Sequence, residues 1–211
     1  MSLRGRGLKM VMKPFARIRS TQVAALGAAP GSVVVLGDGL AASGNWEEWF
    51  AGVPVRNFGI DALLIDELRS LLPHLGAPRA VVVLIGTSDL LGLGGSGEPR
   101  RAAERLARAV EAIQARVGTA PVVVVGVPPR HLVRAAVDRF NRRAADLVAA
   151  RGAVFVDVTT AQTEQDASDG FLLSVGRWDA AVYASVAAAV RPFLPPAGLA
   201  SVETRPGQEP R

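Results

Sequence analysis

Five short apolar runs punctuate the chain: Ser32–Gly37, Pro54–Phe58, Ala80–Gly86, Pro121–Val127 and Ala153–Val158. They are mostly Val-rich and lack a clean polar alternation, so each predicts a strand covered on both faces. Pro54–Phe58 carries the weakest pattern. Helical periodicity fills the gaps. Pro99–Val117 opens on a first-turn proline and lines up Leu106, Val110, Ile113 and Val117, with Arg and Glu opposite. His131–Arg151 does the same with Val133, Val137, Phe140, Ala144 and Val148, and Gly152 supplies a C-terminal stop. Leu63–Leu72 and Asp179–Phe193 complete the helical set. Strands alternating with helices imply right-handed crossovers. The expected fold is therefore α/β, a three-layer α/β/α arrangement around a five-stranded, mostly parallel, flavodoxin-like sheet. It should occupy residues 31–194 as one domain, followed by a Pro/Gly-rich disordered tail over 195–211.

Composition agrees with this picture and removes several chemistries. In 211 residues, 49% are hydrophobic but only 5% aromatic, so Ala, Val and Leu must build the core. The absence of cysteine excludes disulfides, thiolate metal sites and thiol catalysis. Two distant histidines give no basis for a metal centre, and no cofactor is expected.

The net charge of +5 is unevenly spread. Residues 1–20 carry Arg4, Arg6, Lys9, Lys13, Arg17 and Arg19 without an acid, leaving 18 basic against 19 acidic residues in the remainder. Residues 1–30 read as a basic, partly disordered arm. A weak contact between residues 1–20 and an anionic surface is the functional alternative, with no specific nucleic-acid partner implied. Val23–Ala29 is too short for a signal-peptide core, and no run reaches the ~18 apolar residues of a membrane span, so a cytoplasmic location is expected.

In a doubly wound sheet, ligands bind outside the carboxyl ends of the strands. Here those ends are Gly37-Asp38-Gly39-Leu40, Asn57-Phe58-Gly59-Ile60-Asp61, Gly86-Thr87-Ser88-Asp89-Leu90 and Val127-Pro128-Pro129-Arg130-His131. The segment 166–170 can fold over the same rim. Asp38, Asp61, Asp89 and Asp169 could gather around a hard cation. The plainer reading is that they cap helices and accept from backbone amides.

This ordered set resembles the conserved blocks of GDSL/SGNH hydrolases. Gly37-Asp38-Gly39-Leu40 resembles the first block, Gly-Asp-Ser-Leu; Asn57-Phe58-Gly59 resembles the second, and Gly86-Thr87-Ser88-Asp89 the third, Gly-Thr-Asn-Asp. Asp169-Gly170-Phe171-Leu172 resembles the fifth, Asp-x-x-His. The stretch Gly44-Asn45-Trp46-Glu47-Glu48-Trp49 is similar to the platelet-activating-factor acetylhydrolase-like branch.

The resemblance implies a serine nucleophile at position 39, with a histidine base at 172 oriented by Asp169. It further implies oxyanion donors from the backbone of residues 39 and 59 and from an asparagine at 88. Three of those positions are substituted. Gly39 has no hydroxyl, Ser88 is too short to replace the amide, and Leu172 accepts no proton. Gly59 and Asp169 are retained. Loss of nucleophile or base removes nearly the whole triad contribution, leaving at most roughly 10³–10⁴ over water.

The expected function is therefore a non-catalytic protein of this fold. It would bind an unidentified small molecule or protein partner through Asp38, Gly39, Gly59, Ser88, Asp89 and Asp169. One alternative is an esterase, acetylhydrolase or acyltransferase with relocated machinery, for which Ser43, Ser174 and His131 are the available groups. Another is an assembly or membrane-surface protein acting through the basic arm. His74, beside Pro73, reads as solvent-facing.

Overall fold

All five apolar runs form strands of one sheet in the computed structural model, which describes residues 3–94, 97–128, 133–158 and 180–196, with backbone alone for 3–13 and 181. The strands are β1 (Val33–Gly37), β2 (Val55–Gly59), β3 (Ala80–Leu84), β4 (Val122–Val125) and β5 (Val154–Val156). Their order is β2-β1-β3-β4-β5, and every pairing is parallel. This is the flavodoxin-like order, in which chain direction across the sheet reverses between β1 and β3. The first three predicted blocks lie at the carboxyl ends of β1, β2 and β3, about that reversal.

Helices in chain order are α1 (Leu3–Leu26), α2 (Gly39–Ala42), α3 (Trp46–Trp49), α4 (Thr87–Leu90), α5 (Pro99–Val117), α6 (Arg134–Ala149) and α7 (Ala180–Val190). Alternate strand residues point to opposite faces. Val34, Leu36, Val81 and Val83 pack with Leu106, Val110 and Ile113 of α5 and with Val137, Phe140 and Val148 of α6. Val33, Val35, Val82 and Leu84 pack with Trp46, Phe50, Tyr183, Val186 and Val190. Two apolar faces explain why the strands show no polar alternation.

The helix Pro99–Val117 appears as expected, opened by Glu98, whose carboxylate accepts from Arg100 N and Arg101 N at 2.9 and 2.7 Å. The second periodic segment is helical from Arg134, while His131, its expected start, and Asp179, the expected start of the last helix, lie outside the described residues. Leu63–Leu72 differs in kind, because a 3₁₀ helix spans Ile65–His74. The reason lies in its spacing. Ile65, Leu68 and Leu71 are all buried and recur every third residue, which is the period of a 3₁₀ helix.

The N-terminal segment departs from expectation. Instead of a loose arm, residues 3–26 form α1. Its second half is held by Val23, which is buried in the core, and by Arg19, whose guanidinium donates to Asn57 O and Gly59 O at the end of β2. Ala28 N donates to His74 O at 3.0 Å, tying the exit of the helix to the end of the 3₁₀ helix. Charge counting saw the cations, whereas one buried valine and one anchoring arginine decide the docking. Of the expected tail, residues 197–211 lie outside the described residues; Pro196 O accepts from Arg79.

Asp89 joins three helical elements. Its Oδ2 accepts from Ile65 N at 3.1 Å, and its Oδ1 accepts from Arg105 Nη2 at 2.7 Å. Burial pushes its pKa above the usual carboxylate value, and the bonds from Arg105 and Ile65 oppose that rise.

Two predictions follow from these contacts. The folded chain holds the Asp89 proton more tightly than the unfolded chain. Its contribution to stability therefore falls as pH rises from the ordinary carboxylate range through the raised value, then levels. Asp89→Asn should remove that part of the slope in denaturant midpoints measured across mildly acidic pH; an unchanged slope would contradict the assignment. Arg19→Met should cost about 1.5 kcal/mol, because two strand-end carbonyls lose a charged donor. It should also lower helical circular dichroism ahead of global unfolding.

Candidate functional site

The rim is set by close backbone approaches at the carboxyl ends of β1, β2 and β3. Gly37 pairs with Gly59 on one side and Leu84 on the other. A Cβ at Gly37 would lie 1.8 Å from Leu84 O, and one at Gly59 would lie 2.1 Å from Ala42 N. Neither site admits a side chain. Gly59 thus lets α2 sit directly on the end of β2.

Asp38, 1% exposed, follows β1 and ties it to the turn after β3. Its Oδ1 accepts from Leu40 N at 3.2 Å and caps α2; its Oδ2 accepts from Thr87 N at 3.1 Å and, more weakly, from Ser88 N at 3.5 Å. Gly39 is the buried first residue of α2 and has no positive φ, so its backbone would accept a serine. Positions 39 and 88 are thereby held on adjacent turns by one carboxylate.

The carbonyl end of α2 is fixed by three side chains. Asn57 Nδ2 donates to Ala41 O at 3.0 Å and to Ala42 O and Gly44 O at 3.3 Å. Trp46 Nε1 donates to Ala41 O at 2.7 Å, and Tyr183 OH donates to Leu40 O at 3.0 Å. The two rings meet edge to face at 5.5 Å, while Trp46 stacks on Phe50 at 5.7 Å. Asn57 also turns its Oδ1 back to accept from Gly59 N at 2.8 Å. The second-block glycine N–H therefore has a partner inside the protein.

Among the predicted site residues, Asp38, Gly39, Gly59 and Ser88 are brought together around the β1–β3 crevice. Asp38 and Asp89 direct their carboxylates to backbone amides and Arg105, the plainer of the two readings. Asp61 is exposed, and among the described residues no three His, Cys, Asp or Glu side chains converge as a metal group. Asp169, Leu172, Ser174 and His131 lie outside the described residues. Ser43 is exposed at the C-cap of α2, one turn from Gly39. His74 is half-buried before β3, at the opposite end of the sheet from the rim, rather than fully solvent-facing. Thr87 carries a buried hydroxyl without a hydrogen-bond partner among the described residues.

Sequence reasoning missed Asn57's side chain, Tyr183 and Asn141. Asn141 brackets Val127 by accepting from its N–H at 2.9 Å and donating to its carbonyl at 2.7 Å, fixing the turn after β4. An asparagine inside the apolar stripe of α6, between Phe140 and Ala144, was the available signal.

Comparison with known proteins gives a consistent result. No curated protein matches the chain. Among solved structures, a candidate platelet activating factor protein from Streptococcus pneumoniae superposes with a TM-score of 0.73 at 17% identity, covering 88% of this chain and 95% of the other. A lipase/acylhydrolase from Enterococcus faecalis gives 0.62 at 18% identity over 79% and 98% of the two chains. A GDSL-like lipase from Bacteroides thetaiotaomicron gives 0.60 at 19% identity over 84% and 95%. At these identities the likeness is one of fold. The GDSL-like Lipase/Acylhydrolase family model matches residues 20–183, most of the chain and all the blocks quoted above, and the protein belongs to that family.

Proposed function

We propose that this chain binds a ligand or partner at the rim where the family's resemblance places an acyl-transfer site, without cleaving an ester there. The observation that carries this reading is position 39. A buried glycine opens α2 at the end of a central strand, where the resemblance requires a nucleophilic hydroxyl. Two further features support it. The Gly59 N–H already donates to Asn57, so an oxyanion would compete with an existing bond. Thr87 holds a buried hydroxyl with no hydrogen-bond partner among the described residues, a state that costs about 1–3 kcal/mol.

The relocated-nucleophile alternative gains little from the geometry. Ser43 is exposed and at the far end of α2, where Ala41 O and Gly39 O accept its backbone N–H. No described histidine lies beside it.

Titration with p-nitrophenyl butyrate distinguishes these readings. The amide resonances of Gly39, Gly59 and Ser88 are expected to shift while no p-nitrophenolate is released, and a fluorophosphonate probe should leave no covalent adduct. Turnover proportional to protein and abolished by Ser43→Ala, or an adduct on that serine, would replace this reading with a rebuilt hydrolase. Unmoved resonances at all three positions would remove the binding claim. Restoring serine, asparagine and histidine together at positions 39, 88 and 172 should raise hydrolysis above the wild-type background.

A further inference from the structure

The first helix presents an apolar surface that the domain does not use. Val23 and Ala16 pack toward the core, and Arg19 anchors to β2. Phe15 and Ile18, three residues apart, remain 62% and 58% exposed on α1, and Leu26 is 81% exposed. Arg17 is exposed as well, about 100° round the helix from Ile18.

The placement of the helix adds meaning to that surface. Its C-terminal end meets His74 before β3, while Arg19 meets the carboxyl end of β2. The helix therefore runs from the amino edge of the sheet up to the rim. It continues sixteen residues beyond Arg19 to Leu3, about 24 Å at helical rise. Pro14 lies inside this stretch and cannot donate to the carbonyl four residues earlier, a common cause of a helix bend. Residues 1–20 hold six cations and no acid, while the rest of the chain is close to neutral.

We infer that α1 is a docking element for an anionic phospholipid surface, whatever the rim binds. Two observations select this partner. A second copy of the helix would set six cations against six, a repulsive pairing. A nucleic acid would satisfy the cations yet leave Phe15 and Ile18 in water, whereas a bilayer interface accepts both an apolar stripe and a cationic one. No described helix is long and apolar enough to cross a membrane.

The test is sedimentation of the full chain with phosphatidylcholine vesicles, with and without a minority of phosphatidylglycerol. Binding is expected only with the anionic lipid and should weaken as salt rises. Lys13→Gln with Arg17→Gln should lower affinity about 25-fold, from about fivefold per surface charge. Phe15→Ser with Ile18→Ser should lower it at least tenfold, with an unchanged thermal midpoint because both side chains are exposed.

Several results would overturn the inference. One is the absence of sedimentation with either vesicle, or equal sedimentation with both. Another is binding to anionic vesicles that the Phe15/Ile18 variant leaves intact, which would mark simple polyanion attraction. A concentration-dependent dimer in ultracentrifugation, lost in that variant, would assign the face to a second copy instead.

Discussion

The buried carboxylate of Asp38 is the contact on which the rim depends. It lies at the chain reversal of the sheet, and both oxygens accept backbone N–H groups from two different turns. A buried carboxylate is tolerable only when hydrogen-bonded in this way. Its presence fixes the start of α2 relative to α4, and so sets the spacing of positions 39 and 88. Gly37 makes the arrangement feasible by letting β1 pass within van der Waals range of the Leu84 carbonyl, where any Cβ would collide.

Around this node, polar side chains act mainly on main-chain atoms. Asn57, Trp46 and Tyr183 together saturate the carbonyl end of α2, and Asn141 does the same for the turn after β4. Asp89 and Arg105 extend the pattern to the 3₁₀ helix. A short four-residue helix has little stability of its own, since its end groups outnumber its internal bonds. External partners at both ends convert it into a rigid platform.

The fold was legible because long apolar runs with regular helical spacing leave few alternatives. The five strands lie inside or within one residue of their predicted runs, and α5 coincides with its predicted limits. The failures have physical causes. A three-residue period over Ile65–Leu71 was read as an ordinary helix, although the same residues fit a 3₁₀ turn better. The N-terminal helix was hidden because its docking rests on Val23 and Arg19, two residues with no periodic signature in a segment dominated by charge. At the site, the blocks were legible as ordered strand ends. The use of each polar atom was not, because direction cannot be read from residue type: Asn57 could have faced solvent, yet it binds four backbone groups.

This main-chain bias has a consequence for position 39. None of the bonds that hold α2 uses the side chain of its first residue; all reach amides or carbonyls of Leu40, Ala41, Ala42 and Gly44. The platform is therefore indifferent to whether residue 39 carries a hydroxyl. Stability and chemistry at this turn are separable, and substitution there can alter the chemistry while the scaffold and its rim remain as they are.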